Sequence, residues 1–234
     1  MKLNRILLKL SGESLAGRDG YGIDPVRLEH YAREIKEANS TGVQMGIVMG
    51  GGNIYRGLQG AGSGINRVQG DYMGMLATLI NSMAMQSSLE NLGIRTEILS
   101  GLPVDPVAGS MSSRRAIECL EDKKLVIMAG GTGRPFFTTD TTAALRALEI
   151  NADALLKGTR VDGIYTSDPE KDKEATKFDT LSFDEAIDRN LKIMDGTAFT
   201  LCRENNLPVI VFDMNTKGNL LNIIKGKSVG TMVR

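Results

Sequence analysis

Tryptophan is absent from this chain, histidine occurs once, cysteine twice, and acids and bases cancel at 28 each. His30 alone cannot supply a histidine-based nucleophilic triad or a histidine-rich metal centre. Cys119 and Cys202 lie far apart, without the short spacing of a zinc site or redox pair, and no metal-ligating set is expected. A formal charge of zero and a pI near 6.6 lack the basic excess of a dedicated nucleic-acid binder. Long apolar runs are also missing: Leu125 to Ala129 falls far short of the ~18 residues of a membrane span. Met1-Lys2-Leu3-Asn4-Arg5 leads into a strand-like run with no small-residue cleavage site, so no signal peptide is read and a cytoplasmic location is expected.

What the chain does have is apolar content of 41% over 234 residues, enough for a sizeable core. At about 150 residues per domain this allows one large domain or two small ones. No repeat, Pro/Ser-rich linker or long charge run divides it, so residues 1–234 are expected to form a single domain. Glycine is the anomaly: many of its 27 residues cluster at 12–22, 50–52, 57–64 and 130–133.

Apolar periodicity predicts strands over Arg5–Leu10, Val43–Met49, Arg95–Leu99, Lys124–Ala129, Ala154–Lys157, Pro208–Phe212 and Gly230–Val233, with a short arm at Gly163–Thr166. Helices are predicted over Pro25–Asn39 (capped by Asp24), Asp71–Leu92 (stopped by Gly93), Ser112–Glu121, Thr139–Ile150, Ser182–Arg189, Asp195–Asn205 and Lys217–Lys225. Strands alternating with helices imply an α/β fold whose mainly parallel sheet is covered on both faces. Ligands then bind beyond the carboxyl ends of the strands. The apolar stripe Met73, Leu76, Ile80 and Met83 on the long helix is expected to be core or subunit interface.

Three glycine-bearing loops each follow an apolar strand: Lys9-Leu10-Ser11-Gly12, Gly50-Gly51-Gly52-Asn53 and Gly130-Gly131-Thr132-Gly133. Such turns bring backbone N–H groups close to a bound anion, which suits phosphate. Lys9 and Lys157 each close a predicted apolar strand just before a glycine-containing turn. A lysine there is costly unless its head reaches a polar site, where it could meet phosphoryl oxygens. Asp140 falls in the first turn of a helix; it either serves the helix dipole or holds the two ammonium groups. Familiar alternatives are missing. Leu221 stands where a P-loop ending at Gly226-Lys227-Ser228 needs glycine, Tyr55 where G-x-G-x-x-G needs its last, and the H-R-D and D-F-G kinase signatures do not occur.

In order, Lys9 to Glu13, Gly50 to Gly57, Asp71 to Thr78, Gly131 to Asp140 and Val161 to Tyr165 resemble the amino acid kinase family, and within it the uridylate kinases, along essentially the whole chain. The resemblance implies a three-layer α/β/α sandwich around an open, mainly parallel sheet, and Mg2+-dependent transfer of the ATP γ-phosphoryl group to UMP in pyrimidine nucleotide biosynthesis. It implies Lys9, Lys157 and Asp140 as catalytic residues. Lys9, Leu10, Ser11, Gly12, Gly52 and Arg56 would lie along the ATP phosphates, and Thr159, Tyr165 and Asp168 along its nucleoside. Gly51, Asp71 and the loop Thr132-Gly133-Arg134-Pro135-Phe136-Phe137-Thr138-Thr139 would hold UMP. It further implies a homohexamer, GTP activation associated with Gly17-Arg18-Asp19-Gly20-Tyr21-Gly22, and UTP inhibition. Arg134 stands where the family commonly has asparagine, as does Asp213. Two other readings stay open: a kinase of the same fold acting on an acylamino acid or carbamate, and a non-catalytic nucleotide sensor.

Overall fold

The structure is a computed structural model, and it describes residues 2–17, 20–55, 64–167, 171–172, 174–191 and 193–234. The strands are β1 (Arg5–Leu10), β2 (Gln44–Met49), β3 (Thr96–Ser100), β4 (Gly109–Ser110), β5 (Leu125–Ala129), β6 (Ala154–Thr159), β7 (Ile164–Tyr165), β8 (Lys177–Phe178), β9 (Thr180–Leu181), β10 (Val209–Asp213) and β11 (Thr231–Val233). Nine of them form one sheet in the order β4-β3-β5-β2-β1-β6-β10-β11-β9, with β7 and β8 as a separate hairpin. All neighbours in the large sheet run parallel except β10 and β11. The helices are α1 (Pro25–Asn39), α2 (Arg67–Asn91), α3 (Ser113–Glu121), α4 (Thr139–Glu149), α5 (Phe183–Asp188), α6 (Gly196–Glu204) and α7 (Asn219–Ile224).

The alternation of side chains in β1 separates two cores. Ile6, Leu8 and Leu10 pack with α1, α2 and α7, whereas Leu7 packs with α3, α4 and α6. The fold is therefore the three-layer α/β/α sandwich. Burial on both faces is why β5 reads as an unbroken apolar run. Its five residues would otherwise be hard to tell from a short buried helix.

Local chemistry sets the helix starts. The Asp24 carboxylate accepts from the N–H groups of Val26 and Arg27, and Pro25 occupies the first helical position, so α1 has the predicted bounds. Helix α2 begins four residues ahead of prediction, at Arg67, because Asn66 caps it through the N–H of Gln69. Its first turn is largely exposed, so apolar periodicity does not mark it. The same helix buries Met75, Leu79, Met85 and Leu89, while Met73, Leu76, Ile80 and Met83 are 39–50% exposed. The stripe is thus not core within this chain.

Candidate active site

Parallel pairing of β1 with β6 puts Lys9 directly opposite Lys157. Opposed residues in adjacent parallel strands share a face, and here it is the face that carries α4. Thr138 caps α4, accepting from the N–H of Thr141, which brings Asp140 in the first turn over both lysines. Lys9 Nζ lies 2.9 Å from Asp140 Oδ1, and Lys157 Nζ lies 2.6 Å from Oδ2. The first contact is an ion pair without hydrogen-bond alignment; the second is a hydrogen bond. Lys157 also donates to the carbonyl of Ile193 at 2.6 Å. Burial alone would raise the Asp140 carboxyl, but the two ammonium groups overcome it and hold the group below the usual carboxylate value. For Lys157, burial outweighs the attraction of Asp140, and its pKa lies below that of an ordinary lysine.

Two cavities lie nearby, one lined by both lysines and the other by Thr138 and Thr139, the residues just before Asp140. The first, about 610 Å³ and labelled the donor cavity on the family resemblance, is lined by Lys9, Ser11, Lys157 and Thr159, with Arg27 and Arg160 adding positive charge and Glu13 negative. Of the 17–22 segment, Gly17 and Gly20 also lie on its wall. Tyr21 is exposed. Leu10 buries its side chain in the core and accepts the Gly50 N–H through its carbonyl, contributing shape alone. Gly12 has no room for a side chain: a Cβ there would sit 2.6 Å from the Gly50 carbonyl oxygen. The donor turn thus lies backbone against backbone on the glycine triplet.

The second, about 500 Å³ and labelled the acceptor cavity on the same resemblance, is lined by Gly51, Asp71, Arg134, Phe137, Thr138 and Thr139. Gly52, expected along ATP, lies on this wall beside Gly51. Asp71 is already engaged. Arg67 Nε donates to both its oxygens at 2.8 Å, and the Phe136 N–H donates to Oδ2 at 2.7 Å. The Arg67 guanidinium also lies 5.5 Å from the centre of the Phe136 ring, closing a clamp between α2 and the acceptor loop. Phe136 takes a left-handed backbone, φ 73°, within this clamp. Thr132 and Gly133 turn away, lining a neighbouring hollow with Tyr72 and Leu102 that also reaches Arg134.

Two other expected contacts are engaged with neighbours close in the chain. The Tyr165 hydroxyl donates to Asp162 at 2.7 Å within the β7 region, and the Thr159 hydroxyl donates to the Val161 carbonyl at 2.7 Å. Arg18, Asp19, Arg56 and Asp168 lie outside the described residues. The cysteines take no part: both are buried, and burial first, with Asp140 and Asp195 adding, pushes the Cys202 thiol up to about 12.

Several groups that shape the site have no outward signal in the sequence. The Thr78 hydroxyl accepts the Gly130 N–H at 2.9 Å, and Arg146, 6% exposed, donates to the Gly131 carbonyl at 3.0 Å. Asp195 caps α6 and accepts the hydroxyls of Thr138 and Thr141. Asn53 and Asn81 bond to each other beneath the glycine triplet. Each is a polar residue inside an apolar or glycine-rich stretch, and a partner far away in sequence gives it its role.

Residues 4–213 match the model of the amino acid kinase family. The chain is 58% identical over 232 residues to a uridylate kinase of Bacteroides thetaiotaomicron, covering 99% of this chain and 98% of that one. It is 59% identical over 229 residues to a uridylate kinase of Parabacteroides distasonis, covering 98% and 97%. Among solved structures, a UMP kinase from Bacillus anthracis superposes with a TM-score of 0.97 at 37% identity, covering 100% of this chain and 97% of that one. A uridylate kinase from Archaeoglobus fulgidus gives 0.75 at 28% identity, with both chains covered in full. Full-length similarity of this depth, on the same fold, shows that the chain belongs to the amino acid kinase family, in the group of its uridylate kinases.

Proposed function

We propose that the protein transfers the γ-phosphoryl group of ATP to UMP, giving ADP and UDP for pyrimidine nucleotide synthesis. The observation that carries this reading is the pair of lysines from β1 and β6 held on one carboxylate, with one cavity lined by both lysines and a second lined by Thr138 and Thr139 just before that carboxylate. An oxygen of the UMP phosphate attacks the γ-phosphorus, and the bond from that phosphorus to the β,γ-bridging oxygen breaks. The electron pair leaves with the β-phosphate of ADP. A phosphate monoester has a second pKa of about 6, so the attacking oxygen is already ionised at neutral pH and needs no general base. Catalysis then consists of placing two polyanions in line and neutralising charge on the moving group. Lys9 and Lys157 do this from the sheet, Ser11 and the Gly12 turn support the donor phosphates, and Asp140 orients both ammonium groups without taking a proton.

Among the described residues no three His, Cys, Asp or Glu side chains converge as a metal cage. Mg2+ is assigned to the phosphate oxygens of ATP, where it would neutralise part of their charge. Gly51, Asp71 and the 132–139 loop are assigned to UMP. ATP takes the donor cavity from Lys9 to Thr159, with Arg56, Tyr165 and Asp168 assigned to it from the family resemblance. UTP inhibition follows from a shared uracil and acts at the acceptor cavity. GTP activation at 17–22 would require a guanine nucleotide to share the donor wall with ATP. The exposed stripe of α2 supports a homo-oligomer, for which the family implies six copies. One sheet shared by both core layers supports a single domain over 1–234. No described helix is long and apolar enough to cross a membrane; the cytoplasm is the assigned location because ATP and UMP meet there.

The test is ADP release by purified protein with ATP, Mg2+ and UMP, CMP or N-acetylglutamate as acceptor. UMP-dependent release well above the other two is expected. Turnover with N-acetylglutamate, or ATP binding with no acceptor-dependent release, would overturn the assignment.

A further inference from the structure

Asn53 and Asn81 are 1% and 0% exposed, yet both end in an amide. They face each other as a reciprocal pair. Asn53 Nδ2 donates to Asn81 Oδ1 at 3.0 Å, and Asn81 Nδ2 donates to Asn53 Oδ1 at 2.7 Å. Each amide nitrogen has one further hydrogen, and each is used. Asn53 donates to the Gly22 carbonyl at 2.7 Å, and Asn81 donates to the Gly50 carbonyl at 2.7 Å. The Gly22 N–H in turn donates to the Asn53 backbone carbonyl at 2.8 Å. The four side-chain N–H groups of the pair are therefore all satisfied.

The partners belong to three segments that the proposed reaction must hold at fixed separation. Gly22 ends the segment that lines the donor cavity through Gly17 and Gly20. Gly50 directly follows β2 and leads into Gly51 on the acceptor wall. Asn81 sits on α2, nearly three turns beyond Asp71 at about 3.6 residues per turn. The donor turn rests on the pair as well, since a Cβ at Gly12 would lie 2.6 Å from Asn53 Oδ1. Apolar side chains could fill this space, but without direction. A closed ring of amide bonds accepts one relative placement of its segments, because any slip strands donors and acceptors in a dry interior.

We infer that Asn53 and Asn81 form a positioning pair, which sets the distance between the donor turn and the acceptor wall for phosphoryl transfer. The inference rests on the reading of the site as an ATP-dependent UMP kinase. Neither residue touches the reacting atoms. Their effect comes through Gly22, Gly50 and Gly12, and a displacement of about 1 Å at such a joint can lower turnover about 100-fold.

Two leucine variants separate positioning from plain stability. Asn81→Leu alone strands the Asn53 amide, whereas Asn53→Leu/Asn81→Leu removes both amides and leaves only the Gly22 and Gly50 carbonyls without these donors, a smaller penalty for folding. With the wild type active on UMP, the single variant is expected to lose both melting temperature and turnover. In the double variant the melting temperature recovers by half or more, kcat stays down about 10- to 100-fold, and KM for ATP and UMP moves less than about threefold. A double variant that regains kcat together with its melting temperature overturns the inference, as does a single variant with wild-type kcat. Should neither leucine variant fold, Asn81→Ser assayed in the cold carries the same test: a comparable loss of kcat supports the pair, and wild-type kcat overturns it. Failure of the wild type itself to release ADP with UMP would instead strike the underlying assignment.

Discussion

Replacing Asp140 by asparagine keeps the shape of the side chain and removes the charge that two ammonium groups share at 2.9 and 2.6 Å. The three side chains are 12–17% exposed, so water screens them weakly. At an effective dielectric near 20, unit charges about 4 Å apart interact by about 4 kcal/mol. Removing one partner of a buried pair typically costs about 3–5 kcal/mol. The variant has an escape, because Lys157 is already drawn below an ordinary lysine by burial and can shed its proton. That relief places the stability loss near the lower end, about 3 kcal/mol, or a melting point lower by about 6–12 °C for a chain of this size. Turnover suffers more. A neutral or displaced lysine no longer meets the transferring group, and loss of one such electrostatic donor lowers kcat by about 100- to 1,000-fold.

The pH dependence carries the sign. In the wild type the depressed Asp140 carboxyl stabilises the fold fully above the ordinary carboxylate range, and this is lost as pH falls through the depressed value. In Asp140→Asn the pKa of Lys157 drops further below its unfolded value, so the unfolded chain binds more protons and the variant gains stability as pH rises. The melting-point gap between the two proteins therefore narrows as pH rises through the alkaline range toward the ordinary lysine pKa. Differential scanning fluorimetry across that range, alongside coupled ADP release, measures both effects. A gap that widens with pH, or a variant kcat within about tenfold of the wild type, refutes the account of Asp140 as the anchor of both lysines.

Lys9→Ala is expected to lower kcat by at least ~100-fold with the fold intact by circular dichroism; near-normal turnover removes Lys9 from the mechanism. Asp71→Ala cuts the bonds to Arg67 and to the Phe136 N–H, and losing a charged hydrogen bond of about 1.5–3 kcal/mol should raise KM for UMP about 10- to 100-fold. KM for ATP should barely move in that variant, and the reverse pattern reassigns the residue. Ile80→Glu places a charge on a side chain that is 50% exposed in the single chain, within the apolar stripe of α2. Sedimentation velocity should show a smaller assembly than the wild type, and an unchanged one means that the stripe is not the contact surface.

Some elements were legible because their causes are local. The Asp24-Pro25 start of α1 is a cap and a constrained φ written into two adjacent residues. The ends of β1 follow from an apolar run closed by Ser11-Gly12. The two-residue strands β4, β8 and β9 had no such mark, since pairing with a neighbour makes them strands. Helix α2 shows the limit of periodicity. It carries apolar residues on two faces, and contact with β3 and β5, not spacing, decides that Met75 and Leu79 go inward while Met73 and Ile80 face out.

By itself, then, the order of residues determined which chemical groups stand near the ends of strands: an ammonium in the last residues of each of two strands, glycines where backbone meets backbone, an acid in the first turn of a helix. Whether those groups meet was decided by tertiary structure. Lys9 and Lys157 become neighbours through the register of β1 against β6, and Asp140 reaches both because α4 packs on the face they share. The same packing turned Asn53 and Asn81 into one closed unit and bound Asp71 to the acceptor loop. The physical reason is that strand register and helix placement are selected by burial of the whole sheet on both faces, a non-local condition that no stretch of sequence expresses alone.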